Sequence, residues 1–382
     1  MKRKEAPTKD NSPSKKNKDA SGQDIWPAPA DQIGPDKDAD GLSSGVNLHR
    51  TLVTLGLSPD LISVHLLEKG TTVHSEHERA RLAYLSPSYL FVLDHGSRSS
   101  PPLVPSPCTT LIIDHHHSTP SDFPSDSTHV TACHFPPVAT TSLLIYHITL
   151  PLSPVLEPLT SWLCIIGTHG DLGTTLKWLP PFPDMSAPLK LYTKKALNDA
   201  VSLLNAPRRT ATYDVLSAWT ALLTATHPKD ISTSPRLAAA RAEVNAEVER
   251  ATHTAPKFSA DGKVAVFRIR SACQVHPVIA TRWAGHLNSK ALEIVMGGEG
   301  KGPLLERLGD DFARGHVQAS GGIVKVEEFE ELMGLMRVGE KSEAQKKREE
   351  DKANGVSPTK GKVIDKGQTN TLMGYFGNKG GK

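Results

Sequence analysis

Three short apolar runs in this chain break off abruptly into acids and histidines, and that pattern constrains the fold more than any other feature. Tyr89-Leu-Phe-Val-Leu93 gives way to Asp94-His95-Gly96-Ser97, Thr110-Leu-Ile-Ile113 to Asp114-His115-His116-His117, and Leu163-Cys-Ile-Ile166 to Gly167-Thr168-His169-Gly170-Asp171. Runs this short and this apolar read as buried strands. Amphipathic stretches alternate with them, Val46 to Leu57 suggesting a helix, so the expected class is α/β with a mainly parallel sheet. In such sheets ligands bind just past the carboxyl ends of the strands, which is where these acids and imidazoles fall. A fourth acidic group, Asp36-Lys37-Asp38-Ala39-Asp40-Gly41, immediately precedes the first helix.

A single Asp at such a place is ordinarily a helix cap. Four acidic clusters converging on one edge call for a different explanation, because packed carboxylates repel and raise one another's pKa unless cations neutralise them. Bound divalent ions are the simplest remedy. Oxygen ligands alone would suit Mg²⁺, whereas imidazoles in the same shell shift the preference toward Mn²⁺ or another transition metal. A pair of ions about 3.5–4 Å apart is a device for activating water and stabilising the leaving oxygen in phosphoester hydrolysis.

Composition sets the frame for that site. With 382 residues, the chain is long enough for two domains and is not a single small module. Its formal charge of +3 hides an uneven distribution: residues 1–20 carry +4, residues 341–382 carry +5, and the body is left at −6. An acidic body is unlike a general DNA-coating protein and suits a metal-binding carboxylate cluster. Cys108, Cys133, Cys164 and Cys273 have no zinc-type spacing and imply no disulfide framework. The most apolar stretch, Ser142 to Gly167, is interrupted by His147, Glu157 and three prolines, so no membrane partner is expected; nor is a secretory signal.

The motifs together resemble those of the DHH phosphoesterase superfamily. Asp36-Lys-Asp38-Ala-Asp40-Gly41, of the form DxDxDG, is similar to the first motif of RecJ-like single-strand exonucleases; Leu93-Asp94-His-Gly96-Ser97, Ile113-Asp114-His115-His116 and Gly167-Thr-His-Gly-Asp171 resemble the other three. Asn205-Ala206-Pro207-Arg208-Arg209 is similar to their Asn-Ala-x-x-Arg stretch, and Gly315-His316-Val-Gln-Ala319-Ser320-Gly321-Gly322 to the glycine-rich signature of the accompanying DHHA1 domain. The resemblance implies that Asp36, Asp38, Asp40, Asp94, His115, His116 and Asp171 hold two metals, that Asp94 bridges them, and that Asp114 fixes an imidazole beside it. It also implies that Gly315, His316, Ser320, Gly321 and Gly322 meet the substrate, with Arg208 and Arg209 on a phosphate backbone. His117 and His169 are given no role and are expected at the surface.

The implied organisation is a basic arm over residues 1–24, a DHH domain over 25–185, a helical linker over 186–255, a DHHA1-like domain over 256–338, and a tail over 339–382. The family pattern is departed from twice. Trp26 to Pro35 holds too many prolines for the central strand that should precede the first motif, and Gly297 to Gly302 interrupts the second domain where a substrate-facing strand would run. In the tail, Leu372, Tyr375 and Phe376 have the i, i+3, i+4 spacing of one helical face and resemble the sliding-clamp (PCNA) interaction peptide, with Gln368 one residue out of register. With the basic arm this suggests a nuclear location, the cytoplasm otherwise. Three readings stay open: an exonuclease acting on single-stranded DNA or RNA at replication or repair sites, a phosphodiesterase or phosphatase for small nucleotides, and a catalytically inactive replisome scaffold.

Overall fold

The computed structural model describes residues 35–105, 107–287, 294–298, 313–316, 319–322 and 326–341, with a few positions after them. The first helix, α1 (Ala39–Thr54), begins inside the acidic motif. Asp38 is its N-cap, accepting the backbone N–H of Asp40 at 3.1 Å and of Gly41 at 3.2 Å, which satisfies two of the donors that a helix start leaves open. A Cβ on Gly41 would lie 2.4 Å from the carbonyl oxygen of Asp36, so the turn that gathers the motif's acids requires glycine there.

After α2 (Glu76–Leu85) come β1 (Tyr89–Leu93), β2 (Thr109–Ile113) and β3 (Ser127–Val130), a parallel sheet in the order β1-β2-β3. β1 and β2 match the expected strands; β3, short and polar, carries no such apolar run. Leu93 is in register with Ile113, and Ile113 with Val130. The ladder continues one step further, Asp94 N–H donating to Ile113 at 2.9 Å and Asp114 N–H to Val130 at 3.1 Å. Both acids therefore leave the sheet at the same edge.

The strand expected at Leu163-Cys-Ile-Ile166 is instead the middle of a helix, α4 (Leu156–Leu172), counting α3 (Thr141–Thr149) before it. Trp162 to His169 is buried without a break, so this helix has no polar face along that stretch and loses the 3.6-residue period that would have marked it. Pro158 is accommodated in its first turn, where a missing N–H costs nothing. α3 and α4 both pack against α1. Among the described residues no helix is long and apolar enough to cross a membrane.

The middle of the chain is helical as expected: α5 (Ser186–Tyr192), α6 (Lys194–Asn205), α7 (Val215–Thr224), α8 (Pro228–Ile231) and α9 (Pro235–Thr252). Leu197, Leu204, Trp219, Leu222 and Leu237 belong to the same core as Leu93, Ile113, Leu143 and Leu163. The far half of α9 turns Val244, Val248 and Ala251 into a second core with Ala265, Phe267, Val275 and Ile279. Thus α9 is a shared wall of both cores.

Around the second core lie β4 (Lys257–Phe258), β5 (Val264–Arg268), α10 (His276–His286) and β6 (Ile294–Gly298), with β5 antiparallel to β4 and parallel to β6. Gly297 and Gly298, expected as an interruption, complete β6, while residues 299–302 lie outside the described residues. The glycine-rich signature forms a two-stranded antiparallel pair, β7 (Ala313–His316) and β8 (Ala319–Gly322), with Gly315 opposite Ser320. The closing helix is α11 (Val326–Leu335), whose Phe329 and Met333 pack on Val266. The stretch before Pro35 and the tail residues Gln368, Leu372, Tyr375 and Phe376 lie outside the described residues.

A buried carboxylate ties the segment before the sheet together. Glu78, with no side-chain exposure, accepts from Thr71 Oγ1 at 2.6 Å, Glu68 N–H at 2.8 Å and Arg81 at 2.9 Å, and contacts His65 Nε2 at 2.8 Å. Burial opposes its ionisation, but these donors and the Arg81 charge outweigh it and bring the pKa from 4.5 down to about 2. A carboxylate depressed in the fold contributes its full stability above the unfolded value and loses it as pH falls from 4.5 toward 2. Glu78→Gln is expected to cost about 3 kcal/mol at neutral pH and to flatten the acid limb of stability. Urea unfolding across that pH range checks this; an unchanged acid limb would refute it.

Candidate metal centre

Asp94 is the point on which the site turns. Three sets of side chains each present one ligand atom within 4.8 Å of the others: Asp40, Asp94, His115 and Asp171; Asp36, Asp38 and Asp94; and Asp94, His115 and His116. Asp94 is common to all. It sits directly after β1 with φ +67°, a left-handed conformation that Asp tolerates better than most residues, and Gly96 follows at φ +108°. This turn folds the acid back over the strand end toward α1 and α4.

Asp40 is delivered by the first turn of α1 and anchored by the start of α3. Thr141 N–H donates to its Oδ2 at 2.7 Å and Ser142 N–H to its Oδ1 at 2.9 Å, with the Ser142 hydroxyl on Oδ1 as well. Thr141 Oγ1 donates to Asp94 at 3.0 Å. The N-terminus of α3 is therefore the clamp that holds two of the acids, with its positive dipole end toward them. Sequence reading misses this role, although Thr140-Thr141-Ser142 before an apolar run is a recognisable helix-start signature.

α4 contributes from the other side. Its last turn brings Asp171 to 2.9 Å from His115 Nε2, which also lies 3.2 Å from Asp94 and 3.9 Å from Asp40. Such proximity requires glycines at the crossing: a Cβ on Gly167 would fall 2.1 Å from Ser142 Oγ, and one on Gly170 2.9 Å from Ala39 Cβ. Thus the glycines of Gly167-Thr-His-Gly-Asp171 set the approach of α4 to the acidic motif.

Asp114 acts through its neighbours. Its Oδ2 accepts Ser97 Oγ at 2.7 Å and Ser97 N–H at 3.1 Å, and its Oδ1 holds His116 Nδ1 at 2.7 Å. That bond places a proton on Nδ1, the tautomer in which Nε2 can serve as a ligand atom of the set with Asp94 and His115. Burial works against the charge on Asp114, yet the bonds from His116 and Ser97 win and hold its pKa well below the usual range.

Electrostatics at the cluster have the opposite sign. Burial first, and then the Asp171 charge, raise Asp40 to about 6; burial and the charges of Asp40 and Asp38 push Asp94 well up. Asp38, beside Arg208, is lowered despite burial. The contacts with Asp171 and Asp94 push His115 well up against the effect of its burial. These carboxylates carry an unmet demand for positive charge, the condition a divalent cation satisfies, and their mixed oxygen and imidazole donors fit Mn²⁺ or Mg²⁺. The cluster is closed on its Asp40 and His115 side, both wholly buried, and more open at His116, whose side chain is 34% exposed.

The Asn-Ala-x-x-Arg stretch is seated against this centre. Asn205 Oδ1 accepts Ala39 N–H at 3.2 Å and Arg208 Nε at 3.2 Å, and Arg208 lies 3.5 Å from Asp38. Arg208 is accordingly engaged with the acidic motif. Arg209, partly buried, is turned elsewhere. His117 is exposed as expected, but His169 is not a surface residue: it is 3% exposed, and its Nε2 accepts the Trp178 indole N–H at 3.3 Å. For Gly315, His316, Ser320, Gly321 and Gly322 the backbone pairing of β7 with β8 is what is described.

No family model matches the sequence, and no curated protein does. Among solved structures, the chain is similar to RecJ from Thermus thermophilus in complex with Mn²⁺ (19% identity, TM-score 0.49, covering 80% of this chain and 50% of that one), an exonuclease RecJ bound to manganese (19%, 0.44, 65% and 71%), and the DHH domain of a member of a family of ribosomal proteins (12%, 0.48, 67% and 68%). The chain spans half the length of the Thermus RecJ chain it matches.

Proposed function

We propose that this protein is a metal-dependent phosphoesterase that hydrolyses single-stranded nucleic acid from an end. The observation that carries the reading is the convergence of three ligand sets on Asp94 at one sheet edge, made from the four motifs that resemble those of DHH phosphoesterases. Asp40, Asp94, His115 and Asp171 would hold one cation, and Asp36, Asp38 and Asp94 a second. Bound there, Mn²⁺ or Mg²⁺ supplies an acidified water and charge neutralisation at phosphorus.

The chain's own residues do the positioning. Thr141 and Ser142 keep Asp40 and Asp94 in place, Ser97 and Asp114 orient His116, and Arg208 with Asn205 steadies the turn from Asp36 to Asp40. Because the cluster is closed at Asp40 and opens at His116, a phosphodiester reaches it from the His116 side. The tail residues Leu372, Tyr375 and Phe376 would tether the enzyme to a sliding clamp, and its action would then be nuclear.

The test is Mn²⁺-dependent hydrolysis of end-labelled single-stranded DNA and RNA beside a dinucleotide. Chelation should abolish product formation, and saturating Mn²⁺ should raise the melting temperature by about 5 °C, the shift expected from about 2–3 kcal/mol of ligand stabilisation. Deleting residues 368–382 should remove clamp capture and leave the hydrolysis rate. A cation response with no cleavage of any substrate would overturn the enzymatic reading, and cleavage of the dinucleotide alone would overturn the strand.

A further inference from the structure

Away from the metal cluster, a cavity of about 280 Å³ opens between α6, α9 and α10. Arg209, Arg241 and Arg282 line it, together with Asn198, Asn205 and Thr174, and none of its lining residues is acidic. The three guanidinium groups come from three separate elements: the turn after α6, the middle of α9 and the face of α10.

Their charge is only thinly compensated. Arg241 donates to Asp199 at 3.3 Å, but that carboxylate also takes Lys195 at 2.7 Å. Arg282 donates to the Thr252 hydroxyl at 3.1 Å, a neutral partner. The guanidinium of Arg209 feels the Asp38 charge, which raises its pKa, but burial first and then the Arg208 charge outweigh it and bring the pKa down to about 10. Asp199 is shared with Lys195 and Asp38 with Arg208, so the three guanidinium groups carry more charge than the nearby acids offset. An anion would balance that excess, and guanidinium forks suit the planar pairs of oxygens a phosphate presents.

The cavity also shares walls with the metal centre. Asn205 lines it and accepts the N–H of Ala39, between Asp38 and Asp40, at 3.2 Å. Thr174 lines it too, three residues beyond Asp171.

We infer that the Arg209, Arg241 and Arg282 cavity is a second phosphate site, which holds a backbone phosphate of a nucleic-acid strand whose end lies at the metals. This rests on the strand-hydrolase reading above and adds to it a site that lets the enzyme distinguish a strand from a dinucleotide. A dinucleotide without a terminal phosphate has its single phosphate at the metals and none left to fill the cavity.

Anisotropy of labelled short and long oligothymidylates, bound by the full chain in EDTA over a range of salt, tests the site without hydrolysis. Arg241→Gln with Arg282→Gln is expected to weaken the long strand about tenfold and to reduce its salt slope by about 0.7 for each phosphate no longer neutralised. Arg241→Lys with Arg282→Lys should recover much of the slope, and thermal melting verifies that both variants are folded. Unchanged affinity and slope in the folded glutamine variant would overturn the site, as would a wild type that binds neither oligonucleotide. If inorganic phosphate raises the melting temperature of the wild type but not of the glutamine variant while strand binding ignores the substitutions, the cavity takes free phosphate and the strand assignment falls. Wild-type binding without Mn²⁺-dependent cleavage would instead overturn the hydrolase reading and leave this site standing.

Discussion

Asp94→Asn is expected to reduce Mn²⁺-dependent hydrolysis by about a thousandfold or more, because one carboxylate serves all three ligand sets and its loss leaves neither ion a complete shell. The same substitution should not destabilise the metal-free fold. Asp94 is 2% exposed and its pKa is pushed up by burial and by the carboxylates around it, so without a cation its charge is a cost. An amide keeps the acceptor for Thr141 Oγ1 and removes the charge. The melting temperature of the variant should match or exceed wild type in EDTA, while its rise on adding Mn²⁺ should shrink or vanish. A variant that keeps both hydrolysis and the Mn²⁺ response would remove Asp94 from the centre; one that unfolds in EDTA would show the acid to be structural.

Much of this site is legible in the sequence because the acids lie beside features with their own signatures. Asp94 and Asp114 follow short apolar strands that the parallel register brings level, and Asp38 and Asp40 open a helix through ordinary capping chemistry. Asp171 reaches the cluster from a helix rather than from the expected strand. Leu163 to Ile166 looks the same in a central strand as in a helix buried on every side, and periodicity cannot separate the two. The neighbours that tune the site are less visible. Thr141 and Ser142 stand 101 and 102 residues from Asp40 in sequence, and nothing local to either segment announces the contact. His169 illustrates the reverse error: a histidine beside a motif reads as a surface group, whereas the fold buries it against Trp178. The arginine cavity is out of reach for the same reason, since only tertiary packing brings α6, α9 and α10 together.

Gly167→Ala should be among the most disruptive single-methyl changes in the described residues. The added carbon would lie 2.1 Å from Ser142 Oγ, 2.6 Å from Ser142 Cβ and 2.6 Å from Asp40 Oδ1. Rotating the serine hydroxyl away cannot relieve this, because Ser142 Cβ is fixed to the first turn of α3 and Asp40 is held by the backbone of that turn. α4 must therefore move away from α1 and α3, at a cost of about 3 kcal/mol or more. For a protein of this size that corresponds to a melting temperature lower by about 5 °C. The displacement also carries Asp171 away from His115, so hydrolysis and Mn²⁺ stabilisation should fall together. Ser142→Gly in the same background removes two of the three close contacts and should recover part of the stability, whereas Ser142→Gly alone should only weaken the anchor on Asp40. Gly334 provides the contrast: it lies in α11 with nothing within 4 Å of the added carbon, and Gly334→Ala should stabilise by about 1 kcal/mol through helix propensity. If Gly167→Ala melts with wild type and responds fully to Mn²⁺, the close crossing of α3 and α4 is not what sets the geometry of the centre.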